Sequence, residues 1–433
     1  MSPQSASSPP SDLSVAVLVL NWNGRSLLES GLPLLLNQTY PNRQIVVVDN
    51  GSTDGSIELV QERFPQVKLI QHGENIGFSR ALNAGMRQVE ADVLVLLNND
   101  VFAEPDWLAE MMRPFYESSE IGIVGSKLLF PDGTIQHLGA ELSYPLGHSQ
   151  HLYYKQDAMT IQTLPEIQDM AYVTGAALAI HRAVKEKIGL LDGMFHPIYY
   201  EEVDYCYRAR AAGFQVVVAT KSVAIHDEST SMKRLPDVKL QMLHRNRYRF
   251  LLKHYSVKQL LEDFVPAETA YLNQQRNFSD VNAIRLACLE MAILAPTILS
   301  PELPPEKVTA VQNALLQLRQ TAVMATASQT EPPPPLEEFS FPQSLIGRLR
   351  DAWSSIAAKW LMRNLLQQQN LQNNYLQRRI AHLNIQAQSQ AMEIEHLMNT
   401  VLSMQQTQQQ LQDELAQLKK QLADAATEST SSR

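Results

Sequence analysis

The sequence predicts an α/β protein whose sheet is covered by helices and is followed by a helical region and a long heptad repeat. Short runs rich in Val, Ile and Leu alternate with helical stretches from Leu13 to about Thr220. Such near-continuous aliphatic runs are typical of strands buried on both faces, as in a parallel sheet between two layers of helices. Near the end of the chain, apolar residues recur with a seven-residue period, which indicates a coiled coil.

Five aliphatic runs carry the strand prediction, and the stretches between the first of them carry the helix prediction. We expect strands at 14–20, 44–49, 67–70, 92–97 and 215–220. We expect helices at 25–37, 55–63, 79–89 and 105–117, and again from 237 to 255. Ser52 or Asp54 can cap the second helix, and Pro105 suits the first turn of the fourth.

Composition narrows the class of function. The 433 residues are enough for two or three domains, and the net charge of −9 argues against sequence-independent binding to nucleic acid. Cys206 and Cys288 are the only cysteines, so a reducing compartment fits. The start of the chain lacks the pattern of a secretory signal, and the longest apolar stretch, 291–300, is about half the length that spans a bilayer. We therefore expect a cytoplasmic protein, soluble or peripheral to the plasma membrane.

The chain divides into seven predicted segments. The stretch EPPPP (331–335) ends the helical extension, because proline cannot continue a helix. The expected order is a disordered lead at 1–12, the α/β domain at 13–255, a helical extension at 256–330, a Pro-rich linker at 331–341, a basic amphipathic helix at 342–365, a coiled coil at 366–424 and a disordered tail at 425–433.

The amphipathic segment 342–365 carries Trp353 and Trp360 on its apolar side and several Arg and Lys residues on the other. A helix of this kind can lie in a membrane interface, or its apolar side can pack on the protein itself. In the coiled coil, twelve of the fourteen core positions are apolar, and Gln390 and Gln408 are the exceptions. This segment is expected to form a homo-oligomer or to bind a partner helix.

Polar loops follow the carboxyl ends of four predicted strands, where ligands of open α/β sheets bind. The candidate ligand-binding residues in these loops are Asn21, Asn23, Asp49, Asn50, Gly51, Asn75, Gly77, Arg80 and Asn98. A nucleotide-sugar needs a carboxylate for the pyrimidine N3–H, for which Asp49 is the candidate. It also needs a cation, Mn²⁺ or Mg²⁺, against its diphosphate, for which Asp100 is the candidate ligand. A turn followed by a helix cap would explain the loop at 49–55 equally well.

Three acids, Glu201, Glu202 and Asp204, stand together at a predicted helix start. One of them can act as the general base that takes the proton of an acceptor hydroxyl, although the helix dipole also favours acids at this position. His226, after a later strand, is a candidate metal ligand or a structural histidine.

With these residues assembled, the first 255 positions resemble family 2 glycosyltransferases of the GT-A fold, especially their rhamnosyltransferase-like branch. The matching stretches are VVVDNGSTDGS (46–56), ENIGFSRALNAGM (74–86), LLNND (96–100), TGAALAIHR (174–182), YYEEVDYCYRARAAGF (199–214) and HRNRYRF (244–250). The resemblance implies a Rossmann-like mixed sheet flanked by helices. It also implies an inverting enzyme that takes a sugar from dTDP-rhamnose or a UDP-sugar to a hydroxyl of a glycan or lipid-linked acceptor in cell-surface polysaccharide synthesis.

The resemblance also implies roles for single residues. Asp49 would contact the base, and Asp100 and His226 would bind the metal. Asn98 stands where many members have a first aspartate, so it would contact the ribose or support the metal through its carbonyl. Glu202 occupies the position of the catalytic base, where the family has aspartate.

Arg80 and Arg245 are candidates for stabilising the leaving diphosphate.

Two other classes of function remain open at this stage. One is a scaffold that binds nucleotide-sugars without catalysis. The other is a nucleotidyltransferase, which would need a basic Gly-rich loop after the first strand that the sequence NWNGRSLLES lacks.

Overall fold

The computed structural model describes residues 13–161, 164–227, 236–275 and 277–327. These residues belong to one compact unit. The predicted lead at 1–12, linker, amphipathic helix, coiled coil and tail all lie outside the described residues.

The described residues form twelve strands and ten α-helices. The strands are β1 (Val15–Asn21), β2 (Arg43–Asp49), β3 (Lys68–Gln71), β4 (Val93–Asn98), β5 (Val101–Ala103), β6 (Ile121–Leu129), β7 (Ile135–His137), β8 (Ala140–Leu142), β9 (Ser149–His151), β10 (Ile167–Asp169), β11 (Ala177–His181) and β12 (Gln215–His226). The helices are α1 (Arg25–Leu36), α2 (Ser56–Arg63), α3 (Phe78–Arg87), α4 (Trp107–Glu117), α5 (Arg182–Ile188), α6 (Glu201–Ala211), α7 (Pro236–His254), α8 (Val265–Gln274), α9 (Phe278–Ile298) and α10 (Pro305–Ala327).

The main sheet is mixed, and its strand order is β10-β12-β6-β11-β4-β1-β2-β3. The strands β4, β1, β2 and β3 are parallel to one another, whereas β11 runs antiparallel to both β4 and β6. All five predicted strands are confirmed, as β1 to β4 and β12, and the first four predicted helices are confirmed as α1 to α4. The predicted fold class, a mixed sheet flanked by helices, is therefore confirmed.

Two central strands, β6 and β11, are missing from the sequence-based prediction. Gly122 and Gly125 interrupt the aliphatic pattern of β6, and the structure shows why glycine stands there. A Cβ at Gly122 would lie 2.5 Å from Val184, and one at Gly125 would lie 2.5 Å from Val173. The glycines let other elements pack directly on the strand, at the cost of the pattern that identifies a strand.

The sheet separates two hydrophobic cores, as expected for strands buried on both faces. Along β1, Ala16 and Leu18 face one core, and Val15, Val17 and Val19 face the other. This alternation confirms that β1 is covered by helices on both sides.

The helices after 255 pack on α7 through a buried ion pair and a buried hydrogen bond to a histidine. Arg247 of α7 pairs with Glu268 of α8, and both side chains are fully buried. His244 pairs with Asp280 of α9. Because an unpaired charge at these positions would be costly, α7, α8 and α9 depend on one another for stability.

One length expectation was wrong. In the part of the chain that the structure describes, α9 is the one helix long and apolar enough to cross a bilayer by length and composition. It begins at Phe278, well before the apolar stretch 291–300. The helix continues through charged residues that interrupt the apolar run in the sequence, so the run alone underestimates its length. Half of its most apolar window is buried inside the protein, as in the core helix of a globular domain.

Candidate active site

The loops after β1 and β2 form one hydrogen-bonded cluster. The two strands pair in register, so Asn21 lies directly beside Asp49. The side-chain amide of Asn21 donates to Asp49 Oδ2 at 2.9 Å and lies 3.1 Å from Ser52 Oγ. The backbone N–H of Ser52 donates to Asp49 Oδ1 at 2.9 Å. Asp49 is therefore buried and held in one orientation by two donors, which leaves each carboxylate oxygen one further lone pair.

The loop after β3 joins the same cluster. Asn50 donates from Nδ2 to Asn75 Oδ1 at 3.0 Å, and its own Oδ1 accepts from the backbone N–H of Ile76. Gly51 and Gly77 have φ angles of 81° and 84°, which favour glycine. A Cβ at Gly51 would also lie 2.5 Å from the backbone of Glu74. These glycines are required by the close approach of the loops.

Three further candidates are Asn23, which belongs to this cluster, and the arginines Arg80 and Arg245. Asn23 has a φ of 51°, and its Oδ1 accepts from the backbone N–H of Thr53 at 2.8 Å. Arg80 is exposed beside Gly193. Arg245 donates from Nε to Glu290 at 2.7 Å and from Nη1 to the carbonyl of His196 at 2.5 Å. Arg245 therefore has a structural partner set that sequence analysis did not predict.

A cavity of about 610 Å³ opens beside the carboxyl end of β4. Its lining includes Asn98 and Asp100 but none of the other eight candidate ligand-binding residues. The lining residues are Phe78, Asn98, Asp100, Phe130, Gln136, His137, Ser149, His151, Tyr154, Tyr172, Thr174, Gly175, Ala176, Ile198, Tyr199, Tyr200, Glu201, Glu202, Val203, His226, Lys239 and Leu243. The cavity thus joins the end of β4 to the start of α6 and the end of β12.

Asp100 and His226 face each other in this cavity, with Asp100 Oδ1 3.1 Å from His226 Nε2. The structure therefore brings the two candidate metal ligands together. His226 Nδ1 lies 2.5 Å from Gln136 Oε1, and Gln136 Nε2 lies 3.4 Å from the carbonyl oxygen of His226. Because Gln136 Oε1 only accepts, Nδ1 of His226 donates to it, which leaves Nε2 as the ring nitrogen that faces the Asp100 carboxylate and is available as an acceptor or metal ligand.

Two acceptors so arranged suit a shared cation, and the outer hydrogen bond to Gln136 is the kind that orients a metal-binding histidine. Among the described residues, no group of three or more His, Cys, Asp or Glu side chains could hold a metal ion. Asp100 and His226 would therefore hold an ion only together with oxygen atoms of a bound substrate. One or two protein ligands plus substrate phosphates are typical of Mg²⁺ sites.

Glu201 and Glu202 both line the cavity at the start of α6. The two residues before them, Tyr199 and Tyr200, have φ angles of 79° and 68°, an unusual conformation for tyrosine. Oε2 of each glutamate is buried without a hydrogen-bond partner within the described part of the chain. A buried carboxylate oxygen without a hydrogen bond is energetically unfavourable. A ligand that donates a hydrogen bond to either glutamate would therefore be stabilised in this cavity.

Burial raises the pKa of both glutamates, but the further interactions that add to or oppose this rise differ between the two residues. Burial, followed by the charge of Glu202, raises the pKa of Glu201 well above its ordinary value. Burial also raises the pKa of Glu202, but backbone hydrogen bonds, including those from Val203 and Gly175, oppose that rise. The pKa of Glu201 is therefore raised further than that of Glu202, so Glu202 is the member of the pair that loses its proton first as the pH rises.

Asp204 does not line the cavity. Its carboxylate binds Arg208, Lys253 and His254, each at 2.8 Å. Burial alone would raise the pKa of Asp204, but these partners outweigh it and lower the pKa to about 2. We therefore remove Asp204 from the candidate bases and assign it a structural role.

Asn246 and Arg247 support the loop before α6, and sequence analysis assigned neither a role. Asn246 Nδ2 lies within 3.0 Å of the carbonyl oxygens of Phe195, Ile198 and Tyr199. The only sequence signal was a run of polar residues in the HRNRYRF stretch, whose partners lie about 50 positions away and cannot be read from spacing.

Arg247 supports the other side of that loop. It donates from Nη1 to the carbonyl of Leu146 and to Nε2 of His148, each at 2.9 Å. Burial and the charge of Arg247 lower the pKa of His148 to about 3, so His148 is neutral and accepts. The next carbonyl, that of Gly147, accepts from the Tyr200 hydroxyl at 2.7 Å. The chain of contacts from Glu268 through Arg247 therefore ends at the residue before Glu201.

The fold and site define an α/β protein with its ligand crevice at the carboxyl ends of the strands. The family described as glycosyltransferase like family 2 matches residues 9–249, more than half of the chain. The chain belongs to this family.

Curated relatives agree with the family. An uncharacterized protein of Sinorhizobium fredii is 30% identical over 228 residues, 50% of this chain and 25% of that protein. An O-antigen biosynthesis protein of Myxococcus xanthus is 29% identical over 51% of this chain and 18% of its own length. An N-acetylglucosaminyl-diphospho-decaprenol L-rhamnosyltransferase of Mycobacterium tuberculosis is 23% identical over 55% of this chain and 84% of that enzyme. The chain thus spans a quarter or less of the first two relatives.

Among solved structures, a mannosyltransferase of Pyrobaculum calidifontis in complex with GDP-Man and Mn²⁺ has a TM-score of 0.42 and 19% identity. The match covers 76% of this chain and 92% of that one. A likeness at this level carries no conclusion about function.

Proposed function

We propose that this chain is an inverting glycosyltransferase that moves a sugar from a nucleoside-diphosphate-sugar to an acceptor hydroxyl. The observation that carries the proposal is a single cavity that holds both the facing pair Asp100 and His226 and the acids Glu201 and Glu202, each of which has a buried carboxylate oxygen. Transfer needs both groups in one place, one for the leaving diphosphate and one for the attacking hydroxyl.

In this proposal the nucleotide binds the cluster at the ends of β1, β2 and β3. Asp49 accepts the N3–H of the pyrimidine through its remaining lone pairs, and Asn98 contacts the ribose. The donor class is dTDP-rhamnose or a UDP-sugar. A relative named as a rhamnosyltransferase and another named for O-antigen biosynthesis support rhamnose as the sugar and a cell-surface glycan or lipid-linked acceptor as the product.

Glu202 acts as the base in the proposed reaction. Its carboxylate takes the proton of the acceptor hydroxyl while the hydroxyl oxygen attacks the anomeric carbon. The new bond joins the acceptor oxygen to that carbon, and the bond from the anomeric carbon to the diphosphate oxygen breaks on the opposite face. The diphosphate leaves with the electron pair, and the configuration is inverted. Glu201, which holds its proton, donates a hydrogen bond to a substrate oxygen.

Asp100 and His226 would hold Mn²⁺ or Mg²⁺ together with the donor. When bound, the ion would offset the negative charge on the departing diphosphate. Gln136 contributes by fixing which nitrogen of His226 faces Asp100. With two protein ligands, tight metal binding without the donor is not expected.

The test is release of nucleoside diphosphate from dTDP-rhamnose and from a panel of UDP-sugars, with and without Mn²⁺ or Mg²⁺. Wild-type protein should release the diphosphate from at least one donor, and Asp100→Ala should lose the metal-dependent part. An Asp100→Ala variant that keeps full metal-dependent release contradicts the metal assignment. The matched control is Asp106→Ala, an exposed acid outside the cavity.

A second candidate function is a scaffold that binds nucleotide-sugars without catalysis. Asn98 stands where many members of the family have an aspartate. This difference favours the scaffold, because the metal site then has one carboxylate fewer. Donor binding by wild-type protein with no release of nucleoside diphosphate under any metal would support the scaffold.

The proposal includes a cytoplasmic enzyme that forms a homo-oligomer through 366–424 and touches the inner face of the plasma membrane through 342–365. Both segments lie outside the described residues. Removal of 366–433 should lower the oligomeric state in sedimentation and leave turnover intact; a monomeric full-length protein would contradict the oligomer.

A further inference from the structure

Three ring side chains in the lining of the cavity form an aromatic rim. We define this rim as Phe130, His151 and Tyr154. The ring centroids of Phe130 and Tyr154 are 5.7 Å apart with an interplanar angle of 70°, and those of His151 and Tyr154 are 6.2 Å apart at 80°. Tyr154 remains 49% exposed. The two neighbours lie nearly perpendicular to the tyrosine ring and brace it, and Lys155 Nζ lies over the ring at 5.6 Å from its centroid. About half of the tyrosine remains exposed to a ligand.

The turn that carries Tyr154 is fixed by its backbone. Tyr153 and Lys155, on either side, have φ angles of 56° and 61°, both in the left-handed region. The backbone N–H of Lys155 donates to the carbonyl of Ile135 at 2.7 Å, and Ile135 donates to the carbonyl of Gln156 at 2.8 Å. Such conformations persist only where the surroundings enforce them. The rim is therefore in place before a ligand arrives.

The position of the rim assigns it to the acceptor side. Asp49, Asn50 and the other nucleotide candidates except Asn98 do not line the cavity. The nucleotide then occupies the strand-end cluster, and the cavity beyond Asp100 is left for the transferred sugar and the acceptor. At about 610 Å³ the cavity is comparable to pockets that hold whole small ligands, which range over roughly 300–1,000 Å³.

The chemistry of the lining separates a sugar ring from a lipid chain. A pyranose has apolar C–H faces and a polar edge of hydroxyls. The rim offers a half-exposed tyrosine ring, and Ser149, Gln136 and Glu202 in the same cavity offer hydrogen-bonding groups. A lipid chain would instead need a continuous apolar groove, since polar groups that lose water without a partner are costly.

We propose that Tyr154 forms a stacking subsite for a pyranose ring of the acceptor, braced by Phe130 and His151. The acceptor is thereby recognised through a sugar unit, with its hydroxyl edge turned toward Glu202. This inference rests on the proposed function, and it names the substrate class of the second subsite.

The experiment is saturation-transfer NMR with the methyl pyranosides of glucose, galactose, mannose, rhamnose and N-acetylglucosamine, each with the full chain, UDP and Mn²⁺. Decyl phosphate serves as a lipid probe without a sugar. At least one pyranoside should bind. Tyr154→Ala should weaken that binding about tenfold, the equivalent of roughly 1.4 kcal/mol, whereas Tyr154→Phe should stay within about twofold, because stacking needs the ring and not the hydroxyl.

Tyr144→Ala is the matched control, since Tyr144 is also exposed (60%) but does not line the cavity. Calorimetric titrations of UDP and of dTDP, each with Mn²⁺, distinguish failure of the proposed function from failure of the subsite. If neither nucleotide binds wild-type protein, the proposed function fails. If one of them binds but no pyranoside does, if Tyr154→Ala binds the pyranoside as wild type, or if decyl phosphate binds in its place, the subsite alone is overturned.

Discussion

The hydrogen-bonded cluster at the ends of β1, β2 and β3 differs from the cavity that holds Glu201 and Glu202 in whether its polar groups already have partners. In the cluster, Asn21, Asp49, Asn50 and Asn75 bind one another, so the side chains are positioned before any ligand arrives. In the cavity, the two glutamates at the start of α6 each keep one buried oxygen without a hydrogen-bond partner among the residues that the structure describes. We infer that the two regions have different roles. The cluster is organised to recognise a ligand, and the cavity keeps hydrogen-bonding groups available for a reacting substrate.

The two regions also differ in how they are built. The cluster consists of loops that directly follow neighbouring parallel strands, so the register of the sheet brings them together. The acid pair depends on the strained residues before α6, which Asn246 and Arg247 hold from α7. The first region is set by local order along the sheet, and the second by contacts between distant parts of the chain.

The largest expected effect separates chemistry from recognition. Glu202→Gln should lower turnover by about 10² to 10⁴-fold, the usual contribution of a general base, because the amide cannot take the acceptor proton. UDP affinity in calorimetric titration should stay within about twofold, since Glu202 does not belong to the cluster. A parallel loss of UDP affinity would contradict the separation of the two regions.

The next effect tests the support of the acid pair. Glu268→Gln removes the charge that pairs with buried Arg247 and should reduce the free energy of unfolding by about 3–5 kcal/mol, as for other broken buried pairs. Chemical denaturation measures it. Glu262→Gln, whose partner Lys258 lies 3.9 Å away on the surface, should change stability by less than about 1 kcal/mol. Equal losses in the two variants would show that the buried pair has no special role.

A smaller effect concerns the nucleobase. Asp49→Ala should weaken UDP binding by roughly ten- to a hundredfold, since hydrogen bonds to a charged group contribute about 1.5–3 kcal/mol. The rate of transfer at saturating donor should change little. Unchanged UDP affinity would remove Asp49 from the nucleotide site, and Asp54→Ala, in the same loop, is the control.

The smallest effect is expected for the outer part of the cluster. Asn75→Ala should weaken UDP binding by about three- to tenfold, because one neutral hydrogen bond contributes about 0.5–1.5 kcal/mol. Binding by calorimetry measures it. A loss larger than that of Asp49→Ala would mean that the loop after β3 is the main nucleotide contact.

Sequence reasoning predicted the cluster well, because strand ends and polar loops are both visible in the sequence. It also brought Asp100 and His226 together through the family pattern, and the structure places them 3.1 Å apart. It could not predict Asn246, whose partners are backbone carbonyls about 50 positions away. It retained Asp204 as a candidate base although helical geometry argued against it. Residues 202 and 204 are about 200° apart around a helix, so they face opposite sides.

The most direct test of the central claim is the acidic limb of the pH dependence of nucleoside diphosphate release. The base must be ionised, and the pKa of Glu202 is raised, so turnover should fall as the pH drops through a value above the ordinary glutamate range. Asp204, with a pKa of about 2, lies outside that window. Glu201→Gln should keep the limb, because Glu201 is already neutral, whereas Glu202→Gln should abolish it together with most turnover. A Glu202→Gln enzyme with wild-type turnover and an intact acidic limb would contradict the account.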